Sequence, residues 1–265
     1  MIEVQGLVVT FNAGTALETR ALRGIDLAIP QGRFVTVIGS NGAGKSTLLN
    51  ALAGTARATR GRILVDSEDV TPLPASSRAR LVARVFQDPL AGSCESLTLE
   101  ENLALASSRG RRRGLGLALR ATDREAWRAR LAALGLGLEG RLQDRMGLLS
   151  GGQRQAASLL MATLAPIKVL LLDEHTAALD PRTAEAVLDL TRRLVTEGRL
   201  TTFMVTHSMQ QAIDHGDRLL MLHEGRIALD HAGAEKARLT VRDLLAEFAR
   251  LRGGAKLDED ALLLG

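Results

Sequence analysis

Residues 34–52 read FVTVIGSNGAGKSTLLNAL, and this stretch decides the fold. Phe34 to Ile38 run without the alternation of a half-exposed strand, which predicts a strand buried on both faces. Gly39-Ser40-Asn41-Gly42-Ala43-Gly44-Lys45-Ser46 follows and matches G-x-x-x-x-G-K-[ST] between a strand and a helix, the context that the motif demands. Backbone N–H groups of such a loop cradle phosphates. Lys45 then reaches the β and γ oxygens, the Ser46 hydroxyl suits Mg²⁺, and Thr47 continues the helix start over 46–52. The chain has only four lysines (Lys45, Lys168, Lys236, Lys256), and one stands at the phosphate position of this loop.

Leu149 to Gln155 spell LSGGQRQ. Ser150, Gly151 and Gly152 offer a hydroxyl and side-chain-free backbone at the start of a helix predicted over 153–163. With Gln153, they form a second anion site at a positive helix end. Two such starts in one chain predict a nucleotide gripped from two sides. Leu170-Leu171-Leu172-Asp173-Glu174 places two carboxylates at the carboxyl end of a buried strand, the edge where open α/β sheets bind ligands. Asp173 fits the carboxylate that holds a Mg²⁺ hydration shell, and Glu174 the general base that activates water. The competing reading, helix-start acids favoured by the macrodipole, loses its weight beside a phosphate loop.

Outward from these motifs, residues 2–5, 7–11 and 25–29 read as strands of a small antiparallel sheet. Further strands are expected at 63–65, 82–86, 169–172, 202–205 and 219–222, as in a helix-covered parallel sheet, with a turn at 223–226 into 227–229. Residues 88–164 are rich in Leu, Ala, Arg and Glu, with loops at 110–116 and no convincing strand, so they read as a helical insert. Trp127, beside Arg124, Arg128 and Leu131, reads as packing. Thr240 with Asp243 starts a last helix, with Leu244, Leu245 and Phe248 on one side.

At 265 residues the chain accommodates one or two domains, and 46% hydrophobic residues suffice for a core. Aromatics are scarce, with five Phe, one Trp and no Tyr, so that core is aliphatic. A net charge of +4 suits nucleotides or an anionic membrane surface and does not by itself indicate DNA. Arg109, Arg111, Arg112 and Arg113 form the one dense basic cluster, read as a solvated loop or a lipid or partner contact. The single cysteine, Cys94, excludes an internal disulfide and a cysteine metal site, and suits a reducing cytosol. The start of the chain reads as neither a leader nor an anchor, and no apolar run approaches a membrane span. His207, His215, His223 and His231 recur every eight residues, a spacing that suits no helix face and carries no metal site.

Over essentially its whole length the chain resembles the nucleotide-binding ATPase subunit of ABC transporters. The phosphate loop, Gln87 after a strand, LSGGQ, the Asp173-Glu174 pair, Ala178-Leu179-Asp180 and His207 stand in that family's order and rough spacing. The resemblance implies one ABC ATPase domain over 1–265. Its parts would be an α/β phosphate-loop (RecA-like) core with an N-terminal antiparallel β subdomain at 1–87 and 165–265, and a helical signature subdomain at 88–164. It also implies that Gln87 touches Mg²⁺ and the attacking water and relays to a membrane subunit. Asp180 would then be the D-loop residue, and His207 would contact the γ-phosphate. ATP would lie between two copies, with Lys45 of one facing Ser150 of the other. The family stacks adenine on an aromatic residue, often Tyr; Phe11 is the candidate here, and a core position is the alternative. His175 stands where the family usually has Pro, a lineage variant since every reactive position is intact.

No fused membrane segment is present, which resembles importers with separate integral-membrane permease subunits and an extracytoplasmic solute-binding protein. Such a subunit sits on the cytoplasmic face of the membrane, and its solute is expected to be small, such as an amino acid. The alternative is a soluble ABC ATPase, such as one of iron–sulfur cluster assembly. Coiled-coil arms, zinc cysteines or a second phosphate loop would point to nucleic acid, and none is present, so no nucleic-acid partner is expected. A kinase has no need of LSGGQ or Glu174.

Overall fold

The computed structural model describes residues 1–110 and 121–251. Arg111, Arg112, Arg113 and most of the expected 110–116 loop lie outside the described residues. The first part of the chain forms β1 (Ile2–Phe11), β2 (Thr19–Ile29), β3 (Phe34–Gly39), α1 (Lys45–Ala53), β4 (Arg60–Val65), β5 (Glu68–Asp69), α2 (Ala75–Arg78) and β6 (Val82–Val85). Three helices follow: α3 (Leu99–Ser107), α4 (Ala121–Ala132) and α5 (Gly151–Leu164). The chain continues through β7 (Val169–Asp173), α6 (Pro181–Gly198), β8 (Thr201–Val205), α7 (Met209–Asp214), β9 (Arg218–His223), β10 (Arg226–Ala232) and α8 (Val241–Leu251).

A four-stranded sheet has the order β2-β1-β4-β5, and a six-stranded sheet the order β10-β9-β3-β8-β7-β6. Within the larger sheet β9, β3, β8, β7 and β6 pair in parallel, and β10 closes one edge antiparallel. Val37, Leu171, Phe203 and Leu220 face α1 and the smaller sheet. Leu170, Leu172 and Met204 face α5 and α6, while Leu219 and Met221 face α7 and α8. Both faces are thus buried, which is why these strands show no alternation.

Two expectations are corrected. Residues 2–5 and 7–11 are one strand, not two. Gly6 takes φ 55°, a left-handed conformation open to glycine, and the register with β2 shifts between Val4 and Leu7 as in a bulge. The Gly6 N–H, out of the ladder, donates to Asp26 Oδ1 at 2.7 Å. Residues 63–65 are not part of the parallel sheet; they end β4, antiparallel to β1. A three-residue run carries no period, so its face and its sheet cannot be told apart from sequence.

Helix α1 is fixed at the end away from its loop. Gly54 takes the left-handed cap conformation, and the buried Arg78 guanidinium donates to Ala51 O at 2.5 Å and Leu52 O at 3.2 Å. A cation on the last carbonyls satisfies them and complements the negative helix end. Between β6 and β7 the described residues contain helices and 3₁₀ turns and no named strand. Trp127 is 4% exposed among Leu103, Leu131 and Met161, so it is packing. Thr240 and Asp243 cap α8 reciprocally, and Leu244 and Phe248 are buried beneath it. Among the described residues no helix is long and apolar enough to cross a membrane.

Candidate functional site

Strand order β3-β8-β7 brings the carboxyl ends of three parallel strands side by side, with Asp173 opposite Val205. The loop from Gly39 to Gly44 leaves β3 there and turns into α1. Gly44 has φ 104°, and a Cβ on it would lie 2.7 Å from Ala21 O, so only glycine fits. Lys45 is almost fully buried, and its Nζ donates to Gly39 O at 2.6 Å and Ser40 O at 3.1 Å. Burial lowers its pKa, and the nearby Glu174 and Asp173 carboxylates oppose that shift. The first-turn N–H groups of α1 have no carbonyl one turn back, so they are free for an anion.

One cavity collects Phe11, Thr19, Ala21, Asn41, Gly42, Ala43, Gly44, Lys45, Ser46, Thr47, Glu174 and His207. Phe11 is 42% exposed at its edge, so it is not a core residue. Glu174 has φ 49°, rare for a residue with a side chain. Its N–H donates to Val205 O and its carbonyl accepts from Ala177 N, both at 3.0 Å, which hold that turn. Its Oε1 lies 2.6 Å from His207 Nε2, so Nε2 carries the proton. A carboxylate and a proton-bearing imidazole facing a phosphate loop can together orient a water and take its proton.

Asp173 meets Arg84, a residue that no motif marks. Arg84 Nη2 donates to Asp173 Oδ2 at 2.5 Å, Arg84 Nη1 donates to Asn50 Oδ1 on α1, and the guanidinium carbon lies 4.7 Å from the Phe86 ring centroid. The signal was a charge interrupting the apolar run 82–86. Such a charge in a strand next to buried strands needs a buried partner.

The signature turn opens elsewhere. Ser150 caps α5, accepting from Gln153 N at 3.3 Å, and Gln153 Oε1 accepts from Ser150 N at 3.1 Å. Gln153 also accepts from Arg141 Nη1 and donates to Leu136 O, so its side chain is engaged within the chain. A Cβ on Gly152 would lie 2.2 Å from Thr183 Cγ2. That glycine therefore has a packing reason as well as any ligand, and sequence could not show it. Asp180 caps α6 by accepting from Thr183 N at 3.1 Å. Gln87 and Gly151 line a second cavity with Arg154, His175 and Leu179. Within one chain, then, the phosphate loop and the signature turn line different cavities, and Gln87 stands with the signature rather than with Ser46. The reason is that β6 ends at Val85, leaving Gln87 on the connection toward the helices.

His175 is buried, and its Nε2 lies 3.1 Å from Thr191 Oγ1. The Thr191 hydroxyl is spent on Val187 O at 2.8 Å, so the imidazole donates from Nε2 and is neutral. Burial, with His215 nearby, pushes its pKa down to about 3. An unfolded imidazole takes its proton near pH 6.5, and the folded one refuses it until about pH 3. The stability is therefore full above pH 6.5 and lost as pH falls toward 3, by about 1.4 kcal/mol per unit within that window. Between pH 7 and pH 5, His175 should account for about 2 kcal/mol of the stability lost in urea unfolding, a share that His175→Gln removes. Equal losses in both chains would contradict the buried neutral ring.

Comparison with known proteins agrees with this geometry. A family profile described as "ABC transporter" matches residues 22–177. The tyrosine transport ATP-binding protein of Clostridioides difficile (strain R20291) is 43% identical over 248 residues, spanning 94% of this chain and 98% of that protein. The thiamine import ATP-binding protein of Chelativorans sp. (strain BNC1) is 36% identical over 88% of this chain and 90% of its own. A solved ATP-binding cassette, dimeric in a post-hydrolysis state with ADP and phosphate, superposes with a TM-score of 0.73 at 26% identity, covering 88% of this chain and 98% of that one.

Proposed function

This chain belongs to the ABC transporter family of ATP-binding subunits, and from that premise we propose that it powers uptake of a small amino-acid solute, aromatic amino acids first. It is an ATPase that energises solute transport through separate membrane subunits. One observation carries the catalytic part of the reading: the phosphate loop, Glu174 and His207 line a single cavity. The solute rests on the tyrosine transport relative, similar over nearly the full length of both proteins. The chain would work on the cytoplasmic face of the membrane, with an extracytoplasmic solute-binding protein in the same system. Purifying it with its membrane subunits and the solute-binding protein of the same system, and measuring ATP-driven uptake of labelled tyrosine, tryptophan or methionine into vesicles, tests this. Uptake of none of them, with ATP hydrolysis intact, would contradict the solute class.

In this reading Asn41, Gly42, Ala43, Gly44, Lys45 and Thr47 hold the phosphates, Glu174 takes the proton of the attacking water, and His207 turns its Nε2–H from Glu174 to the γ-phosphate once nucleotide is bound. The residues fit Mg²⁺, a cation of hard oxygen ligands: Ser46 presents an exposed hydroxyl, and Arg84 takes only one oxygen of Asp173. Mg²⁺, when bound, would neutralise phosphate charge, held by Ser46 and, through water, Asp173. Gln87 reaches that site only if the helical part, 88–164, closes on the core, 1–87 and 165–265. Phe11 would stack on adenine. Phe11→Ala should then weaken ATP by about 1–2 kcal/mol, roughly 5- to 30-fold in Kd, at unchanged thermal stability. Unchanged affinity would remove Phe11 from the site.

A groove of about 750 Å³ lies on the connection past Gln87, lined by Val85, Phe86, Pro89, Cys94, Leu105 and Arg109 among others. Leu105 is 51% exposed there. We assign this groove to a cytoplasmic segment of the membrane subunit, because it adjoins the Gln87 connection and presents apolar side chains to solvent.

A further inference from the structure

We propose that Arg84 is a positioning residue that couples this groove to the nucleotide site. The proposal rests on the groove assignment just made. Strand β6 sets Arg84 opposite Leu171 of β7, and Arg84 itself lines the groove. Its guanidinium donates to Asp173 Oδ2 at the catalytic edge and to Asn50 Oδ1 on the phosphate-loop helix. One side chain therefore touches both places.

The Arg84 side chain is 13% exposed and that of Asp173 14%. A cation so covered stays paired, since parting it from its carboxylate strands two charges in a poorly solvated place. Its third neighbour is the Phe86 ring, over which the guanidinium lies. That ring also packs against the groove loop: a Cβ on Gly92 would lie 3.3 Å from Phe86 Cδ2. A segment pressed into the groove against Phe86 or Gly92 shifts the ring, and with it the donors that aim Asp173. Coupling of this kind is reciprocal, so nucleotide binding must in turn disturb the groove. A buried pair with only a structural role predicts no such exchange.

Cys94 is the only cysteine of the chain, exposed, and on the groove. An environment-sensitive maleimide on Cys94 of the full chain reads the groove without relying on turnover. At saturating MgATP, with occupancy checked by retention of labelled nucleotide, the unaltered chain should show an emission shift. Arg84→Met should bind nucleotide and lose most of that shift. Arg84→Lys, which keeps the charge but lacks the fork to hold Asn50 and Asp173 together, should keep part of it. If Arg84→Met does not unfold cooperatively, Phe86→Leu carries the test, since it removes the ring and leaves the ion pair; it too should blunt the shift. A full shift in Arg84→Met, or in Phe86→Leu where that variant is needed, overturns the proposal, as does a silent probe in the unaltered chain. The groove assignment fails separately: the co-purified membrane subunits should protect Cys94 from the maleimide, and an unprotected Cys94 contradicts that assignment whatever the probe reports.

Discussion

Replacing Glu174 with Gln is expected to lower ATP turnover by about 10²–10⁴-fold, the usual cost of losing a general base. The shape of the site should survive. Gln keeps an oxygen for the His207 Nε2–H that now meets Glu174 Oε1 at 2.6 Å, and the turn at φ 49° is held by the backbone bonds to Val205 and Ala177. The proposed phosphate grip of Lys45 and the α1 N-terminus would be untouched, so MgATP should still bind. Binding without turnover should accumulate an ATP-held dimer, seen as an earlier peak in size-exclusion chromatography. Near-normal turnover in Glu174→Gln would reject Glu174 as the base.

The second large effect concerns two chains rather than one. Because Gly151 of the signature turn and Lys45 line different cavities of the same chain, a grip from both sides would need a second copy. Ser150→Arg should bind ATP through its own Lys45 yet fail to hydrolyse it, since an arginine at the α5 cap would obstruct a nucleotide held by the partner copy. Lys45→Ala should fail for the opposite reason. It loses charge-assisted bonds worth about 1.5–3 kcal/mol each while its signature turn stays sound. Mixing the two chains forms dimers with one intact site, made of Lys45 from the Ser150→Arg chain and Ser150 from the Lys45→Ala chain. ATPase activity should partly return on mixing if each site fires alone. No return would mean that both sites must be whole together.

The motifs were legible in the sequence because each is local. Residues 34–47 form strand, loop and helix start in one continuous piece, and Ser150 with Gln153 makes its capping box within four residues. What stayed hidden was set by partners far along the chain. Arg84 finds Asp173 at a separation of 89 residues, and only the pairing of β6 with β7 brings them together. Gly152 owes part of its identity to Thr183 on another helix. Gly6 breaks the alternation of β1 and makes one strand look like two, whereas the chain bends there and pairs on. Phe11 was open between core and site, and exposure decides against the core. The order of motifs could not tell that Gln87 sits with the signature turn, since that depends on how the helical part lies on the core.

ATP held between the phosphate loop of one copy and the signature turn of another would bring Ser40 of the first close to Gly151 of the second. The direct test is a chain carrying Ser40→Cys and Gly151→Cys, with Cys94→Ser to remove the native thiol and Glu174→Gln to hold ATP. A disulfide needs Cα atoms closer than about 7 Å, so it reports true apposition. The expected result is a bond between chains, promoted by ATP, that runs as a dimer on a non-reducing gel. A bond found only within one chain, or a dimer that forms equally without ATP, would contradict the two-sided grip.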